Sequence, residues 1–182
     1  MLRIGVELPD ALPGTGEFVA DLQALETAGV DTLWVGGRLD PWPRLGVIAA
    51  VTYRSRLGIL DLDPSAWRPD ALRALLATVA RLARHGLAIG VADGGLSGRL
   101  RDAAPAGVAL VRIAESGTPA EGEERWARVA VPADRAAWRE TRAAQEASGA
   151  TGVIVPMGPR LLDLLRNPDI DDDRSDLQIA VG

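Results

Sequence analysis

Leu87-Ala88-Ile89-Gly90-Val91-Ala92 holds six residues without a charge or a strongly polar side chain, and Gly152-Val153-Ile154-Val155 repeats the pattern near the other end of the chain. Such runs are too short for buried helices and do not alternate as one-sided strands do, so they read as strands covered on both faces. A helical pattern precedes the first run. After Pro64 and Pro69, the residues Leu72, Leu75, Leu76, Val79 and Leu82 recur at helical spacing up to about His85.

The same unit repeats outward in both directions. Strands are expected at Leu2–Leu8, Thr32–Gly36, Arg56–Leu62, Leu87–Ala92, Val108–Ala114, Trp126–Val131, Thr151–Val155 and Leu177–Val181. Helices are expected over Gly16–Ala28, with Phe18, Leu22 and Leu25 on one face, and over Pro41–Arg54 behind an Asp40 cap. Others run from Leu96 to Ala104, from an Asp134 cap to Ser148, and from Pro159 to Arg166; Gly29 and Gly149 act as stops. Strands alternating with helices predict an α/β fold with a parallel sheet. Eight of them predict a minimal or trimmed parallel (β/α)8 TIM-like barrel formed by a single domain over residues 1–182, with an open doubly wound sheet as the alternative. Such barrels usually need about 250 residues, so the 182 here imply a trimmed version. The stretch 115–124, between the fifth and sixth strands, shows no helical stripe.

Composition narrows the function classes. The net charge of -5 argues against nucleic acid or an anionic membrane as partner. No apolar run approaches the roughly 20 residues that span a bilayer. Cysteine is absent, which removes disulfides and thiolate chemistry and suits the cytoplasm. Every basic residue is arginine, so no lysine Schiff base can form.

Several segments, taken in order, resemble the luciferase-like monooxygenase family of flavin- and deazaflavin-dependent oxidoreductases. They are Arg3-Ile4-Gly5-Val6-Glu7-Leu8-Pro9, Gly29-Val30-Asp31-Thr32-Leu33-Trp34-Val35-Gly36, Asp40-Pro41-Trp42 with Ala49-Ala50-Val51-Thr52 and Arg54-Ser55-Arg56-Leu57-Gly58-Ile59, then Arg68-Pro69-Asp70-Ala71-Leu72, and Leu87-Ala88-Ile89-Gly90-Val91. The likeness is clearest over residues 1–95 and returns near Gly149–Arg166. It implies an oxidoreductase that uses FMN or a deazaflavin to pass hydride to or from a small organic substrate. The alternative is a catalytically degenerate barrel, without a cofactor, that binds a ligand or serves as an assembly protein. Members of that family often carry an acid or a histidine just after the second strand, where this chain reads Gly36-Gly37-Arg38.

In a parallel barrel the functional face lies at the C-terminal strand ends. Glu7, Arg38 and Asp61 fall there as catalytic candidates, and Gly37, Arg38, Asp93, Gly94, Gly95, Arg112, Gly158 and Arg160 as candidates for holding a cofactor. Gly158-Pro159-Arg160 enters a helix and could hold a phosphate, or be an ordinary turn. Arg38 could meet a phosphate, or pair with Asp40 or Asp61. His85 reads as a helix-end residue on the opposite face, and Asp169–Asp176 as a solvated loop and not a calcium site, so no metal is expected. Trp42 and Trp67 flank loops near the functional face, where they could stack on a flat ring or pack on helix ends. The helix segment Leu45–Val51 is apolar almost all round, which predicts a homodimer through it, with Ile48 in the contact.

Overall fold

A computed structural model describes residues 1–11, 14–37, 40–92, 98–113 and 124–166. Its elements follow the expected alternation: β1 (Arg3–Glu7), α1 (Thr15–Thr27), β2 (Thr32–Gly36), α2 (Trp42–Val51), β3 (Arg56–Leu60), a short 3-10 turn, α3 (Pro69–Leu82), β4 (Leu87–Ala92), α4 (Gly98–Ala103), β5 (Val108–Ile113), β6 (Arg125–Arg128), α5 (Arg135–Ala147), β7 (Gly152–Pro156) and α6 (Leu161–Arg166). All neighbouring strands are parallel, and the sheet closes on itself as a TIM-like barrel.

The ring differs from the expectation in its strand count. β1 pairs with β2 on one side and directly with β7 on the other, in a register running from Arg3 opposite Gly152 to Glu7 opposite Pro156. The ring therefore closes on seven strands, because both edges of β1 are taken. The segment Leu177–Val181, expected as an eighth strand, lies outside the described residues.

Local chemistry explains the helices. Phe18, Leu22 and Leu25 are the buried face of α1, as their spacing predicts. The Asp134 carboxylate accepts the Ala137 N–H at 2.7 Å and starts α5. Gly29 and Gly149 follow helices α1 and α5 with φ of 85° and 79°, a region that glycine enters without steric cost. At the last turn of α1 the Glu26 carboxylate accepts the N–H groups of Tyr53, Arg54 and Ser55 at 2.6–2.9 Å, binding that helix to the α2–β3 loop. Burial alone would raise the Glu26 pKa, but those three amides and the Arg54 charge outweigh it and hold the carboxyl below its ordinary value. No helix among the described residues is long and apolar enough to cross a membrane.

Strand alternation sends every second side chain into the barrel. The inward set includes Trp34, Leu60, Ala88, Val111, Trp126 and Ile154. The Trp34 and Trp126 rings meet edge to face with centroids 5.4 Å apart. Glycines stand opposite them. A Cβ added at Gly58 or at Gly5 would collide with the Trp34 ring, and one at Gly152 would lie 2.5 Å from Trp126. The glycines in these strands thus provide the volume that the indoles occupy.

On the outside, α2 turns Leu45, Ile48 and Ala49 into the core. Ile48 is fully buried, so it cannot carry a contact with a second copy. Pro43, Val47 and Ala50 are the outward apolar residues of this helix. Leu82, at the end of the α3 stripe, is half exposed.

Gly58→Ala should lower stability by about 1–3 kcal/mol, the usual cost of overfilling a packed interior. Urea unfolding of that variant beside Gly58→Ala in a Trp34→Leu background checks the cause. The penalty should shrink when the indole is gone; an equal penalty in both backgrounds would mean that the glycine serves something other than the ring.

Candidate functional site

The C-terminal mouth is built by the ends of β1, β3 and β6. Glu7 closes β1 and has the inward parity of Gly5; Arg128 closes β6 with the parity of Trp126. Asp61 follows β3 and is the one non-glycine residue with positive φ among those described, at 55°. That backbone turn aims its carboxylate across the mouth. Arg128 meets Asp61 at 2.7 Å and Glu7 at 3.8 Å. One guanidinium thus spans two carboxylates directly above the Trp34–Trp126 plug. All three side chains remain a third or more exposed.

Glu7 and Asp61, each expected at a strand end, thus lie on the same guanidinium. The residue joining them is Arg128, which the sequence reading passes over. The signal was present: Arg128 lies two positions after an inward Trp126, and alternation alone sends it into the mouth.

The other candidates scatter. Gly37 donates its N–H to the Leu60 carbonyl at 2.6 Å, and a Cβ there would stand 2.8 Å from the backbone of both Leu60 and Leu62. Glycine is required at 37 by the packing of β2 on the end of β3. Arg38, Asp93, Gly94 and Gly95 lie outside the described residues.

Arg112 leaves β5 on the helix-facing side, because Ala109, Val111 and Ile113 take the inward positions. The expected role of Arg112 inside the mouth is corrected by this parity. At the Gly158 turn, Arg160 donates to the Ala133 carbonyl at 3.3 Å, and the helix that follows has only six residues, too short for a developed dipole. Trp42 and Trp67 pack on each other edge to face at 5.6 Å. Among the described residues no group of three or more metal-ligating side chains is found.

The N-terminal mouth is as polar as the C-terminal one. Glu124 accepts from Arg56 at 2.8 Å and from the Trp126 indole at 2.7 Å, and Arg3 approaches it at 3.3 Å. The Arg3 guanidinium also lies over the Trp126 ring, 5.7 Å from its centroid. Beside this cluster a pocket of about 380 Å³ opens, lined by Arg3, Asp31, Arg54, Arg56 and His85 among others. His85 is not a helix-end residue as expected: α3 stops at Leu82, and His85 sits in the turn before Gly86 (φ 92°) and lines this pocket.

No family model matches the chain, and no curated protein matches it. Its fold is similar to that of solved structures. The coenzyme F420 dependent tetrahydromethanopterin reductase of Methanopyrus kandleri shares 14% identity with a TM-score of 0.50, over 85% of this chain and 65% of the reductase. The chain thus spans just under two thirds of that protein's length. A tryptophan synthase chain of M. tuberculosis shares 18% with a TM-score of 0.52, over 92% and 91% of the two chains. A mutant tryptophan synthase alpha-subunit of Pyrococcus furiosus shares 10% with a TM-score of 0.50, over 91% and 95%. These likenesses show the barrel fold and no more, since unrelated chemistries share it.

Arg128→Gln should cost no more than about 1 kcal/mol, because ion pairs this exposed are weak, and the loss should fade as salt rises and screens the rim. Gly37→Val should cost more than that at any salt concentration. Thermal unfolding at low and high sodium chloride measures both; a large, salt-independent loss for Arg128→Gln would contradict the rim geometry.

Proposed function

We propose that the chain is a shortened luciferase-like barrel that works as a ligand-binding or assembly protein and does not itself run hydride transfer. The observation that carries this reading is the rim. Arg128 is engaged by Asp61 and Glu7, so both described carboxylates expected to do acid–base work share a guanidinium. The interior beneath is filled by Trp34 and Trp126, so a ligand at this end can be held only above the rings, by the strand ends and their loops.

FMN and deazaflavin coenzymes carry a flat ring and a phosphate. When bound, such a group supplies the hydride chemistry. The described residues of the C-terminal mouth do not fit it: two carboxylates face one guanidinium, and a phosphate there would add negative charge to a rim that already carries a surplus. Arg160, the cation proposed for the phosphate, turns to the Ala133 carbonyl.

The second reading is the oxidoreductase implied by the sequence resemblance. The likeness to the F420 dependent reductase favours a deazaflavin within it. The two readings differ in a direct measurement. The purified protein should be colourless and should bind FMN or a deazaflavin no tighter than about 1 mM, a free energy of only about -4 kcal/mol. A flavin that copurifies, or micromolar quenching of an added deazaflavin, would restore the oxidoreductase reading.

The assembly arm of the proposal uses the outward side of α2. Val47 is 39% exposed there, between Pro43 and Ala50, and Leu82 lies at the end of the neighbouring α3. Wild type should run at a dimeric mass in solution and Val47→Asp at a monomeric one, with unchanged circular dichroism. A monomeric wild type removes this interface. Ile48→Asp cannot serve as the probe, because burying a charge in the core would unfold the chain.

A further inference from the structure

The pocket at the N-terminal mouth is independent of the rim chemistry. Its charged lining is three arginines, Arg3, Arg54 and Arg56, against one carboxylate, Asp31. Asp31 is partly committed, since its Oδ1 accepts the Thr32 hydroxyl at 2.7 Å. Glu124, deeper in the barrel, is held by Arg3 and Arg56, which fixes both guanidiniums beside the opening.

Two donors are left over. Arg56 uses Nη1 on Glu124, while its Nη2 is buried without a hydrogen-bond partner. A buried donor without an acceptor is costly, which favours a swing of this guanidinium toward an oxygen placed in the pocket. The Arg54 side chain is exposed and forms no salt bridge among the described residues, its charge acting on Glu26 only through space. His85 adds an imidazole that can hydrogen-bond to an oxygen, and the two separate turns at Gly86 and Gly107 leave open space beside their backbone.

Several guanidiniums bordering one opening match the tetrahedral oxygens of phosphate better than a single carboxylate. The volume of about 380 Å³ falls within the range of small-molecule sites. We propose that this pocket binds a dianionic phosphate group, either free phosphate or the phosphate of a small monoester, at the end of the barrel that ordinarily serves stability alone.

Isothermal titration of the intact chain with inorganic phosphate and with glycerol 3-phosphate, at constant ionic strength against a chloride control, tests it. Wild type should bind at least one of the two with a Kd of about 1 mM or tighter. The tighter of the two identifies the source of the phosphate. Arg54→Ala should weaken binding about tenfold or more, the size expected for a lost charge-assisted contact. Because the Arg54 side chain is exposed, that variant should stay folded, with at most a small fall in melting temperature from the lost attraction to Glu26; Arg3→Ala provides a second variant with the same expected loss. No binding of either probe by wild type, or wild-type affinity in both variants, overturns the proposal. The rim lies at the opposite mouth, so a negative flavin titration and a negative phosphate titration are separate outcomes.

Discussion

Two indole rings inside a seven-stranded ring are the constraint on which the rest of this structure depends. A ring of seven strands is narrower than one of eight, and its interior must be filled by side chains in a few layers. Trp34 and Trp126 fill the middle as an edge-to-face pair, and they can do so only because Gly5, Gly58 and Gly152 give up their Cβ positions. Each indole is matched by a glycine on one of its two neighbouring strands. The register brings this about, since Trp34 stands opposite Gly58 and Trp126 opposite Gly152. Gly90 continues the same logic higher up, where a Cβ would meet Ile113 and Leu60 at 2.8 Å.

The plug separates the two ends of the barrel and leaves each with its own electrostatics. At the N-terminal mouth one carboxylate, Glu124, lies between two guanidiniums, Arg3 and Arg56. At the C-terminal mouth one guanidinium, Arg128, lies between two carboxylates, Glu7 and Asp61. The Trp126 ring ties the first cluster to the interior by donating its N–H to Glu124, the partner a buried indole requires. The Trp34 N–H has no such partner, so the plug carries one unsatisfied donor. Of these two clusters, the one at the N-terminal mouth thus carries an excess of positive charge and the one at the C-terminal mouth an excess of negative charge.

The candidate residues that proved misplaced failed for identifiable reasons. Arg112 was judged by its nearness to a strand end, but inside or outside is a matter of parity, and Val111 and Ile113 own the inward positions. Gly158-Pro159-Arg160 looks like a phosphate turn in sequence, yet the Ala133 carbonyl is close enough to take the arginine. Ile48 belongs to a helix that is apolar on all sides, and only packing decides that Ile48 faces in while Val47 faces out.

What the chain determined by itself was everything with a local cause. The alternation of short apolar runs with 3.6-residue stripes identified the strands and helices, and the caps at Asp40 and Asp134 and the stops at Gly29 and Gly149 follow from neighbours within a few residues. Tertiary structure alone decided the strand count, the plug and both charge clusters. Ring closure joins β1 to β7 across almost the whole described chain, and Asp61 meets Arg128, and Arg56 meets Glu124, over 67 and 68 residues. No periodicity reports such a pair, because each partner's position depends on how all the intervening strands are staggered around the barrel.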